Sequence, residues 1–287
     1  VRDLLRFAVT QFEAAGLAYG HGSDNAYDEA AYLILHTLHL PVDQLAPFLD
    51  ARLLPAEVDS VLGVLQRRLR ERLPAAYLTR EAWLGDFRFY VDERVIVPRS
   101  HIATVLEQGL SAWIPRPDSI ERALDLCTGS GCLAVLLAHA FPAAMVDASD
   151  ISPPALEVAR HNVRAYGLSQ RVRLVESDLF ASLSGQCYDV IVSNPPYVPT
   201  ADMAELAAEY RHEPPLALAG GEDGLGVVRH ILRQARRHLT RDGLLLMEVG
   251  EGREALEAAD PPLELTWLEA PAGDGAVCLI ERERLPA

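Results

Sequence analysis

The sequence predicts an α/β protein built on a doubly wound, seven-stranded sheet whose last strand is antiparallel, preceded by a small helical N-terminal domain and a β-hairpin linker. Three observations carry this. The first 75 residues show a helical apolar period, a short stretch then alternates every second residue, and the remainder alternates β-type runs with helical ones. Composition agrees, since 287 residues with 49% hydrophobic and 23% charged are globular values for one large domain or two small ones.

In the first domain, residues 1–75, Leu4, Leu5, Ala8, Val9 and Phe12 recur at helical spacing, and Gly16 and Gly20 punctuate the end. Ser23 or Asp24 suits the cap of a second helix bearing Ala31, Ile34, Leu35 and Leu38, which Pro41 breaks. Pro55 suits the first turn of a third helix, running to Leu73, because its missing N–H has no helical partner there. Arg67, Arg68, Arg70 and Arg72 on this helix read first as a solvated face and second as a partner-binding strip. His36 and His39 lie three apart with no further ligand in view, so no metal site is expected.

Residues 76–100 form the linker. Phe87, Phe89 and Val91 alternate with Arg88, Tyr90 and Asp92, and Val95-Ile96-Val97 supplies a second short run ending at Pro98, which together predict a hairpin. In the third region, 101–287, the candidate strands are 123–126, 144–148, 172–175, 190–193, 243–249, 263–268 and 276–280. Helical stretches near 131–141, 153–166, 225–239 and 252–259 separate most of them, but none lies before the last strand, which is therefore expected antiparallel.

Charge narrows the partners. There are 26 basic residues, all arginine, against 41 acidic ones, a formal −15. A broad electrostatic grip on nucleic acid or anionic lipid is disfavoured, and a basic protein partner fits better. The absence of lysine excludes lysine Schiff-base chemistry and a P-loop. Cys127, Cys132, Cys187 and Cys278 include no C-x-x-C pair and read as reduced thiols. No apolar run approaches a membrane span, and the start Val1-Arg2-Asp3 has no signal-peptide core, so a cytoplasmic protein is expected, with residues upstream of Val1 left open.

The stretch 123–134 reads as a strand, a glycine turn and a helix start, with Cys127-Thr128-Gly129-Ser130-Gly131 as the turn. Gly129 and Gly131 let the backbone approach a ligand closely, yet dinucleotide enzymes use the same pattern. Acids tilt the reading. Asp125 precedes the glycines, where it would repel a pyrophosphate but attract the sulfonium and amino group of S-adenosylmethionine. Asp150 follows the loop by about 20 residues, as a ribose-binding acid should. Asp178, beside Leu179, ends the third strand, where a carboxylate can accept from an adenine amino group.

Asn194-Pro195-Pro196-Tyr197 closes the fourth strand. The prolines remove backbone donors and leave carbonyl acceptors aimed into the crevice. A planar amide or exocyclic amino nitrogen is a poor nucleophile because its lone pair is delocalised. Asn194 Oδ1 and the Pro195 carbonyl can accept both of its N–H groups, orienting it and favouring the positive charge that develops on attack, and Tyr197 can stack on the planar group.

The loop, the acids and residues 194–197 together resemble the class I S-adenosylmethionine-dependent methyltransferases that modify planar NH2 groups. The helical N-terminal domain, the linker, Glu209-Tyr210-Arg211-His212-Glu213-Pro214 and Ala219-Gly220-Gly221-Glu222-Asp223-Gly224-Leu225 resemble the protein-glutamine methyltransferases among them. The stretches 19–25, 76–79 and 97–100 are most similar to the branch acting on ribosomal protein L-three. The release-factor branch would show Pro-Arg-Pro and an acid where Val97-Pro98-Arg99 is followed by Ser100-His101. The resemblance implies a class I methyltransferase-like fold and methyl transfer to a glutamine amide of ribosomal protein L-three, before or during ribosome assembly. The same chemistry on a release factor, or on an adenine amino group of nucleic acid, is the alternative. It implies that Cys127–Gly131 wraps the methionine part of the cofactor, Asp150 the ribose, and Asp178 with Leu179 the adenine. Asn194, helped by Pro195, Pro196 and Tyr197, would hold the amide. Arg99 would shape the substrate entrance or make a structural ion pair. Cys127 departs from the glycine of many relatives, and His101 from an expected proline.

Overall fold

The computed structural model describes residues 1–258, 262–268 and 276–286. Helices α1 (Arg2–Ala14), α2 (Ala26–Thr37) and α3 (Pro55–Glu71) pack around Leu5, Ala8, Phe12, Ala30, Leu33, Ile34, Val61 and Leu65, a core of their own. The cap of α2 is Asn25, whose side chain accepts from the Asp28 N–H at 2.9 Å, rather than Ser23 or Asp24. Pro55 does open α3, and the Glu57 carboxylate accepts the Leu54 N–H at 2.7 Å.

The linker differs from expectation. Its start is a short helix, α4 (Ala75–Thr79), and the hairpin pairs β1 (Ala82–Leu84) with β2 (Phe87–Phe89), antiparallel. Val95–Val97 is not a strand. Side chains occupy its backbone instead: Tyr77 donates its hydroxyl to the Val95 carbonyl at 2.5 Å, and the Val97 N–H donates to Glu213 at 2.9 Å. Val91, Val95 and Val97 pack with Leu73 and Tyr77 against Ala155 and Val158.

Helix α5 (Ile102–Gln108) leads into the main sheet, formed by β3 (Arg122–Leu126), β4 (Met145–Asp150), β5 (Val172–Glu176), β6 (Tyr188–Ser193) and three later strands. Helix α6 (Cys132–Ala140) joins β3 to β4 and α7 (Pro153–Ala165) joins β4 to β5. Beyond β6 come the short pair β7 (Val198–Pro199) and β8 (Ala219–Gly221), with α8 (Pro215–Leu218) before β8. Then follow α9 (Gly226–Ala235), β9 (Leu239–Glu248), α10 (Arg253–Glu257), β10 (Thr266–Leu268) and β11 (Val277–Glu281). The sheet order is β10-β11-β9-β6-β3-β4-β5, and β11 alone runs against the rest. The expected sheet and its antiparallel last strand are both present.

Boundaries shift in places. Strand β9 begins at Leu239, not near 243, because a register irregularity carries it past the charged Arg241 and Asp242. Helix α9 ends at Ala235 in a 3-10 turn, and β10 starts at Thr266 rather than 263. The end of the expected helix 252–259 lies outside the described residues.

One apolar layer on the sheet contains α5 and α6 with Leu84 and Phe89 of the hairpin, and the other contains α9, Phe180 and Leu183. The chain runs outward from β3 to β4 and β5, then resumes on the other side of β3 with β6. Ligands of such sheets bind at this reversal, beyond the carboxyl ends of the strands. The glycine turn follows β3, and Asn194 follows β6.

The arginine strip on α3 does not behave as one surface. Arg67 is exposed beside Glu71, but Arg68 is fully buried: its Nε donates to Glu29 at 2.7 Å and its Nη1 to Glu209 at 3.1 Å. Arg72 adds a bond to Glu209 at 3.2 Å. Glu29 and Glu209 are themselves buried, so an ionic cluster, not a solvated face, ties α2 and α3 to the loop before β8. Among the described residues no helix is long and apolar enough to cross a membrane, and no group of His, Cys, Asp and Glu is placed to hold a metal ion.

Candidate active site

Strand β3 ends in a turn that is left-handed at Cys127 (φ 63°), Gly129 (φ 52°) and Gly131 (φ 79°). A side chain is strained at such angles, so Cys127 stands where glycine would be easier. At Gly131 space is also short, because a Cβ there would stand 3.0 Å from that of Ala159 on α7. Gly129 faces open space.

The turn is braced from β4. The Gly129 N–H donates to Asp150 Oδ2 at 2.8 Å, the Ser152 N–H to Asp150 Oδ1 at 2.9 Å, and the Thr128 N–H to the Ser149 carbonyl at 2.9 Å. An amide of the kind that would meet a pyrophosphate in a dinucleotide enzyme is thus committed to a carboxylate. Burial raises the pKa of Asp150, with these backbone bonds opposing it.

A cavity of about 360 Å³ opens over the turn, lined by Cys127, Gly129, Asp150, Asp178, Leu179 and Asn194 among others. That is within the range of small-molecule sites, roughly 300–1,000 Å³. Two carboxylates in its lining, with the loop amide already used, suit a cationic nucleoside better than a polyphosphate. The residues therefore fit S-adenosylmethionine. Asp125, Thr128, Ser130 and Gly131 are not in the lining. They lie buried beneath it, where Thr128 donates to Asp125 Oδ2 at 2.5 Å and the Ser130 carbonyl accepts from Asn162 at 2.9 Å. Asp125 Oδ1 is buried without a partner, and burial pushes this carboxyl up to about 7 against the Thr128 bond. Ser149, which sequence reasoning missed, lines the cavity with a buried, unpartnered hydroxyl.

A second cavity of about 660 Å³ lies on the other side of Asn194, lined by Pro195, Tyr197, Arg99, His101, Tyr210 and Glu248 among others. Asn194 lines both cavities, and its Oδ1 is buried with no hydrogen-bond partner. A buried acceptor left open costs about 1–3 kcal/mol unless something donates to it. Pro196 faces the smaller cavity. The turn is anchored below by Ser193, whose hydroxyl donates to the Leu126 carbonyl at 2.8 Å, linking the ends of β6 and β3.

Tyr197 is fixed at both ends. Its hydroxyl donates to Glu248 Oε1 at 3.1 Å, and its ring covers Gly250, where a Cβ would sit 2.6 Å from the ring. Burial keeps the phenol neutral by pushing its pKa up. Arg99 both lines the cavity and makes an ion pair: its guanidinium grips both oxygens of the buried Glu213, by 2.5 and 2.7 Å. Glu209, Glu213 and Glu248 were not foreseen as structural centres. For Glu248 the available signal was an acid closing the otherwise apolar run Leu244–Val249.

The methyltransferase small domain family matches residues 108–210. Across its whole length the chain is 58% identical to the ribosomal protein uL3 glutamine methyltransferase of Burkholderia pseudomallei, of which it covers 96%. The chain belongs to this family. A relative of the same description from Neisseria meningitidis serogroup B is 58% identical, over 99% of this chain and 94% of that one. One from Bradyrhizobium diazoefficiens is 48% identical, over 96% and 88%. Membership makes the chain an S-adenosylmethionine-dependent methyltransferase. Among solved structures, the hMettl16 catalytic domain in complex with MAT2A 3′UTR hairpin 6 superposes with a TM-score of 0.52 at 15% identity, covering 78% of this chain and 81% of that one, a likeness of fold.

Proposed function

We propose that this chain transfers a methyl group from S-adenosylmethionine to the side-chain amide nitrogen of a glutamine in ribosomal protein uL3, the protein in its relatives' names. The observation that carries the reading is the Asn194 Oδ1, a buried acceptor without a partner at the junction of two cavities. An entering glutamine amide supplies the missing donor.

The cofactor would be held in the smaller cavity by Cys127, Gly129, Asp150, Asp178 and Leu179, over the turn that Thr128, Ser130 and Gly131 shape from below, and would supply an electrophilic methyl on a sulfonium. Every other task falls to the chain. Asn194 Oδ1 and the Pro195 carbonyl accept the amide N–H groups and hold the nitrogen, and that contact strengthens as positive charge develops on it. Positioning within roughly 3–3.5 Å provides most of the rate, because no bond of the enzyme is made or broken. Pro195 and Pro196 stiffen the turn, and Tyr197 walls the amide in. A proton leaves the nitrogen after transfer, so no base is needed beforehand.

We assign residues 1–75 to recognition of the protein substrate, 76–100 to the linker and 101–287 to catalysis. The formal charge of −15 suits a basic ribosomal protein. We infer that methylation precedes or accompanies ribosome assembly, in the cytoplasm; the burial of Asn194 Oδ1 supports that timing, since a glutamine packed inside a finished ribosome could not reach it. The test offers labelled S-adenosylmethionine with unmodified uL3, a class-one release factor and adenine-containing DNA in parallel, with mass mapping of the product. Label on a uL3 glutamine is expected. Label on the release factor alone overturns the substrate, and label on DNA overturns the chemistry.

A further inference from the structure

Glu248 closes β9 beside the catalytic turn, is 2% exposed, and lines the larger cavity. Oε1 accepts from the Tyr197 hydroxyl at 3.1 Å, and Oε2 accepts from the Ser100 hydroxyl at 2.7 Å and the His101 N–H at 2.9 Å. One carboxylate thus holds the tyrosine of the amide-binding turn, the last linker residue Ser100 and the cap of α5 at His101. A buried carboxylate is costly, and a structural joint could be made from neutral groups. What only a carboxylate offers here is acceptance on both oxygens at once, since all three partners are donors.

We propose that Glu248 is a positioning residue for methyl transfer, which fixes Tyr197, and through it the amide-binding turn, relative to the linker. The proposal rests on the amide-transfer reading above. Carboxamide replacement keeps the shape, but the His101 N–H can only donate, so the NH2 group must turn to Tyr197, whose hydroxyl then has to accept instead of donate and leaves its present line. A displacement of about 1 Å at a reacting centre costs on the order of a hundredfold in rate.

The experiment is a double-mutant cycle in the full chain on the uL3 methylation assay, with Glu248→Gln, Tyr197→Phe and the pair. Each single change is expected to lower kcat by roughly tenfold to a hundredfold, with KM for uL3 and cofactor affinity little changed. The double variant is expected to be no worse than either single one. In 13Cζ-tyrosine-labelled protein, the Tyr197 resonance should shift in Glu248→Gln and in Ser100→Ala, which reports the joint even if one variant folds poorly. A Glu248→Gln enzyme with wild-type kcat, losses that multiply in the double variant, or an unmoved Tyr197 resonance overturns the proposal. Wild-type enzyme that methylates no amide refutes the functional reading, and this proposal with it.

Discussion

Replacing Arg68 by methionine tests whether the buried ionic cluster is what joins the helical region to the loop before β8. The side chain is fully buried and methionine fills similar space, so the change removes charge more than volume. Glu209 would keep bonds from the Ala18 N–H at 3.2 Å and from Arg72 at 3.2 Å. Glu29, 1% exposed, would lose the bond from Arg68 that holds its carboxylate. Breaking a buried pair on one side costs about 3–5 kcal/mol, because a charge is left without compensation. In a chain of this size that lowers the melting temperature by roughly 10 °C. The loss should depend on pH. Burial already raises the Glu29 carboxyl with Arg68 beside it, and removal of the cation raises it further. A group whose folded pKa exceeds its unfolded value stabilises fully below the unfolded pKa, and that contribution is lost as pH rises through the folded one. The deficit should therefore be complete near pH 8 and shrink toward about pH 5. Urea unfolding of wild type, Arg68→Met and Arg68→Met with Glu29→Leu measures it, and the double variant should recover most of the loss. A deficit below about 1 kcal/mol, or a double variant no better than the single one, would show that the cluster is not the joint.

Asn194→Ala should leave cofactor binding by calorimetry nearly intact while transfer falls by roughly a hundredfold or more; equal activity sinks the amide-holding role. Gly131→Ala meets both a left-handed φ of 79° and Ala159 at 3.0 Å, so thermal unfolding should show a loss of about 1–2 kcal/mol or more, with weaker cofactor binding. His21 is buried with both ring nitrogens unpartnered, and burial lowers its pKa to about 4 against the pull of Glu213. Its folded value lies below its unfolded one, so stability present above pH 6.5 is lost as pH falls toward 4, by roughly 3 kcal/mol in all. A His21→Phe variant should show a correspondingly flatter stability profile between those pH values, and an unchanged slope would count against a buried neutral imidazole.

The sheet, the glycine turn and the Asn194–Tyr197 tetrapeptide were legible because each is a local pattern. Apolar runs, glycines and the Asn194–Tyr197 turn declare themselves within a few residues. The hairpin was misplaced for the opposite reason. Val95-Ile96-Val97 has strand propensity, but its backbone groups are taken by Tyr77 and by Glu213, far along the chain, while Ala82–Leu84 is too short to announce itself. The arginine strip carried a signal that composition hid. Arg68 lies in phase with Val61 and Leu65, the buried face of α3, so periodicity marked it as inward while its charge suggested solvent. Its partner Glu209 is 141 residues away, a pairing no spacing rule reaches. Asp125 shows the same limit at the site, since the acid at a strand end lies under the loop rather than in the cavity.

The two cavities share Asn194, Ile96 and Ala217, and each opens to solvent. They form two chambers with a thin common wall, so molecules seated in them can touch only there, and a side chain at that wall is felt by both.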